Sequence, residues 1–178
     1  METHTIHSRD NVTYVYLHDD GIFPNNARLP LLKYRAAVAM QGRDPAAAFE
    51  KLFNDNDWVG SWRNGVYNRH HYHSSAHEVL GVYSGTALVQ FGGEQGVRVE
   101  VQAGDVAVVP AGVAHKRLHS SGDFSVVGAY PVGQTWDMCY GREGERPGTD
   151  QVIAAVPLPY ADPVHGRQGP LLQLWSTY

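Results

Sequence analysis

GVYNRHHYHSSAHEVLGVYSG, residues 65–85, sets His70, His71, His73, His77 and Glu78 inside nine positions. Read as a strand near 66–73, it sends alternate side chains to opposite faces. His71 and His73 then project together, with Tyr67 and Arg69 on the same side and His70 and Tyr72 on the other. Two imidazoles two residues apart stand about 7 Å from each other along one face. That is close enough to share an ion, and neutral imidazole is a common metal ligand.

Outward from this stretch the chain reads as short strands broken by glycines, near 78–84, 86–91, 97–101, 105–109, 114–118 and 124–130. The pair Gly92-Gly93 suits a hairpin bend between TALVQF and VRVEV. Many short strands at regular spacing, with no helix pattern between them, predict an all-β sandwich or small barrel. Upstream, VTYVYL (12–17) predicts a strand and HDDGIFPNNARLP a loop. DPAAAFEKLF predicts a helix, with Asp44 as N-cap, Pro45 at the first helical position, and Phe49, Leu52 and Phe53 on one face. Downstream of Tyr140, Gly and Pro predict an extended arm packed on the outside and closing with LLQLW.

The 178 residues fit one domain, with a barrel core at about 58–132, an N-terminal strand and helix at 10–57 and a C-terminal arm at 133–178. A 43% hydrophobic and 18% charged composition is that of a globular protein. The net charge of −4 argues against nucleic acid or an anionic membrane as partner, since both attract basic patches. METHTIHSRD carries no apolar run, so no signal peptide is expected, and no stretch approaches the roughly 18 apolar residues of a spanning helix. A cytoplasmic protein is the expectation. The single cysteine, Cys139, excludes an internal disulfide framework and is expected as a buried structural thiol. No P-loop, dinucleotide-binding glycine fingerprint or serine nucleophile elbow is present.

Two spacings carry a family resemblance. Gly65 stands six residues before His71, Glu78 five after His73, and Gly85 seven after Glu78. In GDVAVVPAGVAHKRLH (104–119), Gly104, Pro110, Gly112 and His115 make a second ordered set. The first pattern, G-x5-H-x-H-x4-E-x6-G, resembles the first motif of the cupin family at every defining position. The second, G-x5-P-x-G-x2-H, resembles its second motif, except that His119 stands where the family has Asn. Together they cover about a third of the chain, which is also similar to a group of small bacterial single-domain cupins. The resemblance implies a six-stranded jelly-roll β-barrel with a metal inside, held by His71, His73 and Glu78 from the first motif and His115 from the second.

The residues leave a rival open. His77 lies beside the same pair, and on a regular strand Glu78 aligns with Leu80 and Val82 while His77 aligns with Val79 and Tyr83. LGVYSG does not reveal which face is inner; the family spacing to Gly85 favours Glu78. Three imidazoles and a carboxylate suit one divalent transition metal: Fe, Mn, Ni, Co, Cu or Zn. His119 and Arg117 share the face of His115 if the strand persists. His119 would then orient a ligand or touch substrate, and Arg117 would attract a carboxylate or phosphate. Tyr67, Arg69 and Tyr130 are further pocket candidates, and Trp58 and Trp62 are expected in the core or rim. The expected function is a metal-dependent enzyme acting on a small organic molecule, dioxygenase-like, with Glu78 also able to accept a proton. The alternatives are a redox-silent isomerase or hydrolase, and a non-catalytic sugar- or metabolite-binding module. A homodimer is the expected assembly.

Overall fold

The computed structural model describes residues 4–9 and 11–176. The boundary expected at residue 10 and the last two residues of the expected arm lie outside them. Along the chain run β1 (His7–Arg9), β2 (Val12–Leu17), β3 (Asn26–Tyr34), α1 (Pro45–Asp55), β4 (Trp58–Asn64), β5 (Glu78–Ser84), β6 (Thr86–Phe91), β7 (Val97–Gln102), β8 (Val106–Val109), β9 (His115–Ser120), β10 (Ser125–Pro131), α2 (Gly148–Ala155) and α3 (Pro170–Trp175). One sheet has seven strands in the order β1-β2-β3-β8-β5-β10-β4; the other has three, β7-β6-β9. All pairs are antiparallel. The sheets face each other as a jelly-roll sandwich around Leu80, Val82, Val89, Phe91, Val109 and Val126.

The larger sheet is covered on its outer face too. Phe49 and Phe53 of α1 and Leu171, Leu174 and Trp175 of α3 pack there against Leu32, Val79, Val106, Val108 and Val127. Contact is close enough that a Cβ on Gly81 would stand 2.3 Å from the Phe49 ring. Strand β5 is therefore buried on both sides, with every residue from Glu78 to Val82 in the interior. No helix among the described residues is long and apolar enough to cross a membrane.

Four expectations need correction. The stretch 66–73 is not a continuous strand. Its backbone bonds go to different neighbours, His71 pairing with His115 and Tyr72 with Cys139 as isolated bridges, so no ladder forms. The loop expected over HDDGIFPNNARLP ends early, because β3 starts at Asn26. Pro30 is tolerated there because the β2–β3 register shifts between Val15 and Leu17, leaving its missing N–H no ladder partner to fail. Asp44 stands at the N-cap position of α1 but makes no side-chain cap; its carboxylate instead takes two 3.0 Å hydrogen bonds from Arg63. The arm is not simply extended. It carries α2 and α3, and LLQLW is helical because Pro170 opens the first turn and Leu171, Leu174 and Trp175 bury one side at helical spacing.

Candidate metal centre

The centre lies at one end of the sandwich, where the 71–73 segment crosses the start of β9. His71 N–H donates to the His115 carbonyl (3.2 Å) and His115 N–H to the His71 carbonyl (2.9 Å), which brings the two motifs side by side. Gly112 N–H donates to the His73 carbonyl at 2.8 Å. Its φ of +91° and the Asn25 oxygen 2.4 Å from where a Cβ would sit make glycine the residue this turn requires. Buried Asn25 ties down the approach to His115 by accepting from Ala114 N–H at 3.1 Å.

The ligand-capable atoms of His71, His73 and His115 all lie within 4.8 Å of one another, and all three residues are buried. Each ring has its Nδ1 on a backbone carbonyl: Arg69 O at 3.2 Å for His71, Val113 O at 3.1 Å for His115, and Asp137 O for His73. A carbonyl only accepts, so each Nδ1 carries the proton and a neutral ring offers its Nε2 lone pair inward. These three histidines form a group that can hold a metal ion. Burial, reinforced by His115, pushes His71 down to about 3, which keeps it neutral.

Glu78 completes the cluster from the first residue of β5. Its Oε2 lies 3.4 Å from His73 Nε2 and 3.3 Å from His115 Nε2. Its Oε1 accepts from Tyr130 O–H at 3.2 Å, and Tyr130 in turn accepts from Trp62 Nε1 at 2.9 Å. Burial alone would raise the Glu78 carboxyl, but the His73 and His115 imidazoles hold it below the ordinary carboxylate range. Burial lowers His73, and the Glu78 carboxylate outweighs it and pulls it up. Glu78 Oε2 is buried with no hydrogen-bond donor. This buried carboxylate needs positive charge beside it, from a proton on a ring or from an ion, and with each Nδ1 already on a carbonyl the converging Nε2 atoms and Oε2 fit a bound cation.

A cavity of about 610 Å³ opens onto the cluster, lined also by Trp62, Tyr67, Arg117, Tyr130, Trp136 and Met138. Trp136 stacks on Tyr130 (6.0 Å between centroids, 22° between planes) and stands edge-on to His73 at 5.7 Å. His77 is turned away. Val79, its companion in strand parity, belongs to the outer core, and the His77 ring lies 4.7 Å from Trp175 with Nδ1 accepting from Ala111 N–H at 2.9 Å. Arg69 contributes its carbonyl, and its side chain is not among the cavity's walls. Trp58 is wholly core.

His119 does not join Arg117. The β6–β9 register pairs Val89 with Arg117 but Leu88 with His119, so Leu118 is bulged out and the alternation flips. His119 lines a separate groove with Lys33, Arg35 and Glu100. The segment 136–138, by contrast, reads from sequence as part of an outer arm, yet it supplies Trp136, Met138 and the Asp137 carbonyl. The Asp137 carboxylate also accepts from Ser74 N–H at 2.6 Å and from the Ser74 hydroxyl. Cys139 is buried, as expected; burial and the nearby Asp137 push its thiol up to about 11.

Two antiparallel sheets closing over a buried histidine cluster define a jelly-roll protein with a metal-site geometry. A family model described as "Cupin domain" matches residues 62–127. The chain is 42% identical over 167 residues, covering 94% of itself and 98% of the relative, to "Uncharacterized protein YjlB" of Bacillus subtilis (strain 168). Among solved structures it is similar to acireductone dioxygenase from Bacillus anthracis with cadmium ion in its active center, at 16% identity and TM-score 0.40. That match covers 53% of this chain and 63%, less than two thirds, of the other. It is also similar to YcfD, a ribosomal oxygenase from Escherichia coli in complex with cobalt and succinic acid, at 15% identity and TM-score 0.38, over 74% of this chain and 40% of that one. The chain belongs to the cupin family.

Proposed function

We propose that His71, His73, Glu78 and His115 hold one divalent transition metal and that the protein is an enzyme oxidising a small organic molecule in the adjoining cavity. The observation that carries this reading is the buried, donor-free Glu78 oxygen facing the inward side of imidazoles whose other nitrogens are already spent on carbonyls. Three imidazoles and a carboxylate suit redox-active first-row ions. When bound, such an ion supplies Lewis acidity and one-electron chemistry. The chain supplies the rest. Tyr130 holds the Glu78 carboxylate in place, Trp136 and Tyr130 shield the cluster from water, and Tyr67 and Arg117 border the space a substrate takes.

Elemental analysis of protein purified without added metal tests the first half. Near one ion per chain is expected, with loss of most of it in His73→Ala; no bound ion in the parent protein refutes the reading. Oxygen uptake by the metal-loaded protein over a panel of small organic molecules tests the second half. Turnover is expected to stop under anaerobic conditions with the ion retained, and undiminished anaerobic turnover removes the oxidative assignment.

A further inference from the structure

Charge inside the cavity is unevenly matched. Arg63 lines it, but its guanidinium is held by Glu50 (2.7 Å) and Asp44 (3.0 Å). Glu78 faces the His73 and His115 imidazoles. Arg117 lines the same cavity, half-buried, and among the described residues its side chain hydrogen-bonds only the Ser120 hydroxyl, donating at 3.0 Å. No carboxylate among the described residues forms an ion pair with it. A guanidinium presents a planar fork of donors that matches a carboxylate with two parallel hydrogen bonds. A phosphate dianion would call for a second free cation, and Arg63 is not free.

The remaining walls are aromatic. Trp62 lies flat against Gly128, where a Cβ would stand 2.2 Å from the indole, so the glycine makes room for the ring. Tyr67 is 58% exposed and Trp136 48% exposed at the opening. Large aromatic faces left open beside an unmatched cation are complementary to a flat apolar body bearing one negative charge.

We propose that the cavity binds a small aromatic or conjugated monocarboxylate, its anion on Arg117 and its ring against Trp62 and Trp136. This rests on the reading of the cavity as a substrate site and names the substrate's class. Arg117 is then a specificity-determining residue, placed two positions along β9 from His115 so that the acid end and the ion engage different parts of one molecule.

Calorimetric titration of the metal-loaded protein with benzoate, benzamide and acetate tests it. Benzoate is expected to bind at least tenfold more tightly than either of the others. Arg117→Gln is expected to weaken benzoate about tenfold or more, the range for a hydrogen-bonded charge, with metal content and melting temperature unchanged. Trp136→Ala is expected to bring benzoate toward the acetate value. Equal binding of benzamide and benzoate, or of acetate and benzoate, overturns the proposal. So does an Arg117→Gln protein that binds benzoate like the parent, since the carboxylate then sits elsewhere. Absence of bound metal would sink the enzymatic reading alone, because Arg117-dependent benzoate binding is read separately from elemental content.

Discussion

Glu78 and His77 are adjacent, both fully interior, and opposite in role. Glu78 meets two imidazoles between the sheets, and His77 meets Trp175 on the outer face. Substituting each separates them. Glu78→Gln is expected to cut metal occupancy severalfold in elemental analysis, whereas His77→Asn, whose amide oxygen replaces Nδ1 as acceptor for Ala111 N–H, is expected to leave it intact. His77 also predicts a pH dependence. Burial pushes it from 6.5 to about 3, so its contribution is complete above pH 6.5 and is lost as pH falls from there toward 3. Chemical denaturation at stepped pH is expected to show a shallower acid loss in His77→Asn than in the parent protein. The motif spacing favoured Glu78, the neighbour that faces the imidazoles, and the hydrophobic pattern could not choose between the two. Parity separates two faces only when one of them is wet, and β5 is dry on both.

Among elements, the short C-terminal helix α3 is held by a carboxylate at the centre of four bonds. Asp162 Oδ2 accepts from Tyr34 O–H (2.5 Å) and Leu171 N–H (3.0 Å), and Oδ1 accepts from Val164 N–H (2.8 Å) and His165 N–H (2.9 Å). Trp175 Nε1 adds a 3.0 Å bond to Pro30 O on β3. Removing the carboxylate strands several interior donors at about 1–3 kcal/mol each. Asp162→Ala is therefore expected to lose more than about 2 kcal/mol in urea unfolding, against a smaller loss in Tyr34→Phe. Strands 78–84 and 86–91 were legible to the residue, because glycines bound them and β-branched residues fill them. The arm reads as extended for a local reason: its Gly and Pro residues mask a helix whose apolar spacing is present in LLQLW. The bulge that removes His119 from the cavity left no mark at all, since it comes from how β6 and β9 align and not from either strand alone.

For the molecule as a whole, the seven-stranded sheet divides the labour. Its outer face buries α1 and α3 in one apolar core, and its inner face packs on the small sheet in a second, with Glu78 of β5 and His115 of β9 meeting beside it. Apolar packing therefore lies on both faces of that layer, and the metal-site geometry on the inner one. Removing the ion with a chelator is expected to lower the melting temperature by several degrees, as loss of any ligand that binds only the folded state does. The far-UV circular dichroism should stay unchanged; collapse of that signal would show that the ion holds the fold itself. The cluster also has a consequence in time. His73 takes its orientation from a carbonyl 64 positions later, Asp137, whereas the motif histidines are all made by residue 115. A nascent polypeptide can close its sandwich and still lack that last brace, so the histidine group is fully oriented only after residue 137 has been made.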